Sequence, residues 1–336
     1  MRFTKYLISR IITYFVVIFV SMTFVFLIPR FSPIDPVAAL IGRLTAQGSY
    51  MDATALEAMQ KSLKETFGLE GSIFEQYISF WKRILAGGDF GPSYAMFPTS
   101  VNQLIRESLP WTIWLLSLTT IISWFLGNII GAITGFRKDR WYSKVLEDIA
   151  MVIRPIPYYI VALTLILLLS YIFPIFPMSA GGSSIGVKPS FSWIFIKDVL
   201  KTAFLPALSL IIVGFGWWFL SMDALSRNIG EEEFVSFAEV KGLTENEIMF
   251  RYVMKNAMLP QVTALALSMG TIFSGSLITE IMFSYPGIGM LLYRAITSAD
   301  FNLMMGIITI SVFAVATACL VVDILYPFVD PRVRYR

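Results

Sequence analysis

Residues 234–260 read FVSFAEVKGLTENEIMFRYVMKNAMLP, a polar, helix-forming island that carries charges of both signs. Apolar runs long enough to cross a bilayer lie on either side of it, where a tight turn would serve as a connection. Within the island, Phe234, Phe237 and Ala238 fall on one face of a short helix. Glu231, Glu232 and Glu233 stand at its start, where negative charge suits the helix dipole, and Lys241 stands at its end. Gly242 can stop that helix, and Thr244 with Glu247 three residues on forms a capping box for a second one. The expected unit is helix, glycine turn, helix, with the second helix running through Arg251 and Lys255 to Pro260. Its bare aromatic side chains need cover, either from a partner or from the headgroup layer of a membrane.

The rest of the chain has the same membrane character. Of 336 residues, 56% are hydrophobic and only 15% charged, against about 25% charged in an average soluble domain. A net charge of +3 gives no case for nucleic acid. The chain has no histidine, which excludes histidine triads and HExxH zinc sites, and no GxxxxGK[ST] phosphate loop. The single Cys319 lies in an apolar run and reads as a packing residue. The N-terminal apolar stretch is longer than a signal-peptide core and no small-residue cleavage site follows, so it reads as a retained first span.

Six windows are long and apolar enough to span: 11–29, 111–135, 149–174, 203–222, 258–279 and 303–322. Only Arg154, in the third, puts a formal charge inside one. Lysine and arginine cluster in the N-terminal segment, the second–third loop, the fourth–fifth loop and the C-terminus (Arg332, Arg334, Arg336). The short loops of the other face hold only Lys188, Lys197, Lys201 and Arg294. The positive-inside rule therefore puts both termini and the 234–260 island in the cytoplasm. Residues 30–110 form an extracytoplasmic insertion with two amphipathic helices, one that Asp52 can cap and Gly68 ends, one that Ser72 can cap. The expected organisation is 1–29 as N-terminus and first span, 30–110 as insertion, and 111–336 as core with a cytoplasmic loop at 224–258. In the second span Gly127, Gly131 and Gly135 recur every four residues, a stripe that lets another helix approach closely.

Ala238-x-x-Lys241-Gly242-Leu243 followed by Asn256-Ala257-x-Leu259-Pro260 resembles the cytoplasmic EAA loop of binding-protein-dependent ABC importers. In particular the chain resembles B-type permease subunits of the dipeptide/oligopeptide group. Asp35-Pro36, Gly68-Leu69, Gly88-Asp89-Phe90-Gly91, Leu109-Pro110-x-Thr112, Glu280 with Phe283 to Gly289, Asp300, and Tyr326-Pro327 with Asp330-Pro331-Arg332 fit that resemblance in order and spacing. Ser236 and Phe237 replace the acid and first alanine of the EAA motif, Met222-Asp223 stands where relatives carry an arginine, and Arg154-Pro155 replaces small polar residues.

The resemblance implies an all-α permease fold of the type I importers with six spans, located in a prokaryotic cytoplasmic membrane. It implies a second, similar permease, two cytoplasmic ATPases that bind ATP and magnesium, and an extracytoplasmic solute-binding protein. This chain would hold no cofactor and catalyse nothing. Phe234, Phe237, Ala238, Glu239, Lys241 and Gly242 would form the coupling helix, with Phe237 and Ala238 buried against an ATPase. Arg154, Tyr158, Trp217 and Trp218 are candidates for the translocation path, Arg154 meeting a solute carboxylate or else a structural partner. Glu280, Tyr285, Pro286 and Gly287 would shape the outer gate region. Peptides are the family default as solute and oligosaccharides the alternative. An ion-coupled secondary transporter is the rival class, disfavoured by one intramembrane charge and no evident repeat.

Overall fold

Inside hydrocarbon every backbone polar group must be paired within the chain, which leaves the helix as the spanning element for such runs. The computed structural model describes residues 2–33, 35–46, 52–178, 190 and 192–329, and among these it is built of helices, with one isolated β-bridge between Pro92 and Ser100. Lys188, Asp330, Pro331, Arg332, Arg334 and Arg336 lie outside the described residues.

The first span, α1 (Arg2–Arg30), leads to Asp35-Pro36, which start α2 (Pro36–Ala46). The N–H groups of Val37 and Ala38 donate to Asp35 Oδ1 at 2.8 and 3.2 Å, and proline fits a first turn where its missing N–H has no partner to lose. Then come α3 (Ala53–Thr66), closed at Gly68 with φ +67°, and α4 (Ile73–Gly87), started by Ser72 and Glu75 in a reciprocal capping box. Val37, Leu40, Leu63, Phe67 and Tyr94 bury together, so this region has a small core of its own.

The second span, α5 (Val101–Phe136), is one continuous helix of 36 residues, capped by Ser100. At 1.5 Å per residue it is about 54 Å long, well beyond the hydrocarbon thickness. The boundary expected between 110 and 111 is therefore corrected: Pro110 sits inside the helix, and the insertion and the span share one rod.

The third span is not a straight crossing of 149–174. It consists of α6 (Trp141–Ile153) and α7 (Tyr158–Ile166, continued by a π-helical turn over Leu167–Ile172), bent by 95°. Pro155 and Pro157 cause the break, each removing a donor from the helical ladder and crowding the preceding turn.

After α8 (Trp193–Thr202), α9 (Phe204–Gly230) forms the fourth span and reaches eight residues past its expected end at 222, into the loop set at 224–258. The helix α10 (Glu233–Val240) and the Gly242 turn (φ +79°) follow. Next, α11 (Glu245–Ile248), a π-helical turn over Met249–Met254, and α12 (Lys255–Thr271) join into one crossing that ends at Ser274. Gly275, at φ +74°, breaks it before 279, the end expected for the fifth span. Two short helices, α13 (Leu277–Met282) and α14 (Ile288–Thr297), precede the last span, α15 (Phe301–Val329). Among the described residues five helices have the length and apolarity to cross, and six if the bent pair is one span.

The bundle is organised on the α5–α9 pair. A Cβ added at Gly127 would sit 2.6 Å from the Cβ of Trp218, one at Gly131 2.5 Å from the carbonyl oxygen of Phe219, and one at Gly135 would collide with the carbonyl oxygen of Asp223. Each glycine of the stripe thus faces α9 at near backbone contact, a spacing only hydrogen in place of a side chain permits.

Candidate functional site

The island that opened the sequence folds as a separate small helix seated on the root of α12. Val235 and Ala238 are buried with Ile248 and Val253, while Phe136, Ile229 and Leu243 close the edges. The capping box is formed: the N–H of Glu247 donates to Thr244 Oγ1 at 3.4 Å, and the N–H of Thr244 donates to Glu247 Oε2 at 3.1 Å. That bonding holds the Glu247 carboxyl below its usual range, first through the Thr244 backbone N–H.

One expectation is corrected here. Ala238 is only 1% exposed and faces the chain's own core, so it has no surface to offer a partner. The free apolar face is Phe234, Phe237 at 60% and Val240 at 86% exposure. Val240 was missed because a sequence pattern gives faces, not which face the rest of the fold covers. The Lys241 ammonium lies 4.6 Å from the Phe237 ring centroid, and Glu239 is exposed beside it.

Polar contacts tie this unit to the neighbouring loop. Arg137 pairs with Glu245 at 3.6 Å and donates to Asn246 Oδ1 at 2.8 Å. Lys138 pairs with Glu231 at 2.6 Å, which raises the lysine and depresses the glutamate. Deeper in, Arg227 binds both Asp223 and Glu147, and Thr134 Oγ1 donates to Asp223 Oδ1 at 2.7 Å, linking α5, α6 and α9. Asp223, one of the departures from the resemblance, is thus occupied within the chain.

At the other end of the bundle, Glu280 is completely buried. Thr112 Oγ1 donates to its Oε1 at 2.9 Å, the Ser276 N–H reaches the same oxygen at 3.4 Å, and the Met290 N–H donates to Oε2 at 3.0 Å. Thr112 in turn accepts from the Ile288 N–H at 2.7 Å. Burial pushes the Glu280 carboxyl up, opposed by these hydrogen bonds. Gly287 and Gly289 leave room for the carboxylate, and Tyr285, buried and pushed up by desolvation, donates to the carbonyl of Trp111 at 3.2 Å. Pro286 sits in the tight turn between them. The arrangement is a polar knot fastening the α13–α14 turn to α5, with no side chain of the group left for a solute.

The four path candidates separate. Arg154 is at the break between α6 and α7 and exposed, so it is not a charge held inside a helical span, which corrects that expectation. Tyr158 and Trp217 are also on the open surface of this chain, Trp217 at 46%. Trp218 is corrected: it is 5% exposed and packs on Gly127, because consecutive helical residues point about 100° apart. A groove of about 970 Å³ opens between the N-terminal third of α5 and α8, lined by Glu107, Trp111, Trp114, Phe195 and Leu200. Its pairing of segments 85 residues apart left no local signal. Among the described residues no three His, Cys, Asp or Glu side chains gather to hold a metal.

A polytopic helical bundle whose fourth and fifth crossings are joined by a short helix with a bare apolar face is the fold of an integral membrane component. The chain belongs to the family described as binding-protein-dependent transport system inner membrane component, whose model matches residues 127–335, and the matching N-terminal model of such membrane components covers residues 3–119. It is 28% identical over 313 residues to the oligopeptide transport system permease protein AppB of Bacillus subtilis, covering 92% of this chain and 93% of that one. It is 26% identical over 331 residues to the oligopeptide transport system permease protein OppB of Escherichia coli K12, covering 98% and 99%. A probable peptide ABC transporter permease of Sinorhizobium fredii, y4tP, is 27% identical over 337 residues, covering 98% and 99%.

Proposed function

We propose that this chain is one membrane-spanning half of an ATP-driven importer of di- and oligopeptides. The observation that carries the coupling part is α10: a helix whose inner face is fixed by Val235 and Ala238 and whose outer face bares Phe234, Phe237 and Val240. Exposed aromatics on a rigid helix fit a groove on a cytoplasmic ATPase, with Glu239 and Lys241 at the rim. A push on α10 would pass through the α11–α12 rod and, by Arg137, Lys138 and Arg227, into α5, α6 and α9. ATP and magnesium would be bound by the ATPases, and this chain would do no chemistry.

The excess of lysine and arginine at both termini and around α10 supports a cytoplasmic location for these, with residues 30–110 outside. A second permease would cover the surface that holds Arg154, Tyr158 and Trp217, and an external binding protein would deliver solute. The names of the relatives support peptides over oligosaccharides. The test is uptake by the complete complex in proteoliposomes, with matched peptide and oligosaccharide panels delivered by the cognate binding protein. ATP-dependent accumulation of peptides is expected, and accumulation of oligosaccharides alone would refute the solute assignment.

A further inference from the structure

A groove of about 550 Å³ runs between α1 and α15, from Arg10 and Asp323 at one end to Ser21 and Ile308 at the other. Its walls are largely aliphatic, with Val17, Val312, Val315 and Leu320 along them, and Val17 is 44% exposed. Of its hydroxyls, three are turned to the chain's own groups. Thr13 Oγ1 donates to the Ser9 carbonyl at 2.9 Å, Ser311 Oγ to the Phe273 carbonyl at 3.0 Å, and Tyr14 shares a hydrogen bond with Thr317 at 3.2 Å. The charge in the lining is confined to one end. There Arg10 Nη1 lies 3.4 Å from Asp323 Oδ2, and the two side chains are 42% and 36% exposed. The guanidinium rests on the Tyr6 ring, 5.1 Å from its centroid, and the Tyr6 hydroxyl donates to the Asp323 carbonyl at 3.0 Å. The ring covers one face of the guanidinium, and a single long ion pair leaves edge donors of Arg10 and lone pairs of Asp323 open.

We propose that this groove holds an acyl chain of phosphatidylethanolamine, with the headgroup phosphate on Arg10 and the headgroup ammonium on Asp323. Depth fits a lipid. Arg10 directly precedes the apolar window 11–29 and Asp323 directly follows the window 303–322, so the pair stands at the membrane boundary. From Arg10 to Ser21 the groove descends about 16 Å at 1.5 Å per residue, half of the ~30 Å hydrocarbon core and so the depth of one leaflet. Width fits a chain of methylenes. The volume spread over that length gives a mean cross-section of roughly 30 Å², under half of the ~80 Å² of a helix about 10 Å across, so a helix of another subunit does not enter. A lipid tail gains no hydrophobic energy in passing from bilayer to groove, so selection falls to packing and to the headgroup. Guanidinium edges match phosphate oxygens, and a primary ammonium brings three donors to a carboxylate. A choline headgroup lacks those donors, and a glycerol headgroup has no cation to set against Asp323. The groove is apart from α10 and from the elements that carry Arg154, Tyr158 and Trp217, so the site does not rest on the transported solute or on the coupling face.

The assembled importer, stripped of lipid in detergent, is titrated with phosphatidylethanolamine, phosphatidylglycerol and phosphatidylcholine. Bound lipid is counted by native mass spectrometry, and the chain's single cysteine, Cys319 in the groove wall, reports occupancy through its alkylation by N-ethylmaleimide. Wild type is expected to bind phosphatidylethanolamine roughly tenfold more tightly than the other two, the value of one charge-assisted hydrogen bond, and to lose Cys319 reactivity as it does so. Asp323→Asn should remove the preference for phosphatidylethanolamine over phosphatidylglycerol, and Arg10→Gln should weaken both alike. Because these two also break an ion pair between α1 and α15, Val17→Trp tests the groove with the pair intact. It should exclude the lipid, while Val16→Trp, on an exposed position outside the lining, should not. Lipid binding and Cys319 protection that are the same in wild type and in a normally assembled Val17→Trp complex overturn the site. Equal binding of the three lipids by wild type refutes the headgroup pairing. Cys319 protected in the lipid-free importer but reactive in the isolated chain also overturns the proposal, because a protein subunit would then be the occupant.

Discussion

Replacing Phe237 by alanine separates the two faces of α10. The side chain is 60% exposed, and a phenylalanine offers about 200 Å² for burial, so about 120 Å² is free for a partner. At about 25 cal/mol per Å² that surface is worth about 3 kcal/mol on docking, on the order of 100-fold in affinity for the ATPase subunits. The permease itself should be unaffected, because Phe237 is not part of the buried cluster of Val235, Ala238, Ile248 and Val253. Val235→Ala is the mirror experiment: its side chain is completely buried, so about 2 kcal/mol of permease stability should go, with the docking face intact. Both variants are measured for ATPase retention during purification, for peptide uptake per ATP hydrolysed, and for the unfolding midpoint of the permease. Wild-type retention and uptake in Phe237→Ala would refute the docking role of this face. A fall in its unfolding midpoint matching that of Val235→Ala would refute the division into faces.

Gly131→Ala should lower the unfolding midpoint, at a cost of about 2 kcal/mol for overpacking, since its Cβ would lie 2.5 Å from a backbone oxygen of α9. Gly42→Ala in α2, with nothing within 4 Å, should raise it by up to about 1 kcal/mol of helix propensity, and equal shifts in the two would disprove the close-contact reading. The Thr244–Glu247 box gives a pH dependence. Because Glu247 is depressed in the folded chain, its stabilisation is complete above the ordinary carboxylate value of about 4.3 and is lost as pH falls through the depressed one. Unfolding midpoints of wild type and Glu247→Gln should therefore converge only in that acid window, and a constant gap down to pH ~3 would exclude the mechanism.

Period, caps and charge bias are local properties, so the sequence alone determined the spanning class, the capping by Ser72 and Thr244, the stop at Gly242 and the close-approach stripe of α5. It could not say that Pro155 and Pro157 bend the third crossing by 95°, since a proline near a span also occurs in straight helices that neighbours support. Burial is a property of pairs of elements. Ala238 and Phe237 are adjacent in sequence, and only the seat of α10 on Ile248 and Val253 turned one inward and left the other, with Val240, outside. The same holds for Trp217 and Trp218, divided by the approach of Gly127. The resemblance made Glu280 a structural group of the outer gate region, and only the fold shows what holds it: Thr112, 168 positions away, joins the N–H groups of Ser276 and Met290 on its carboxylate, because the α13–α14 turn packs against α5.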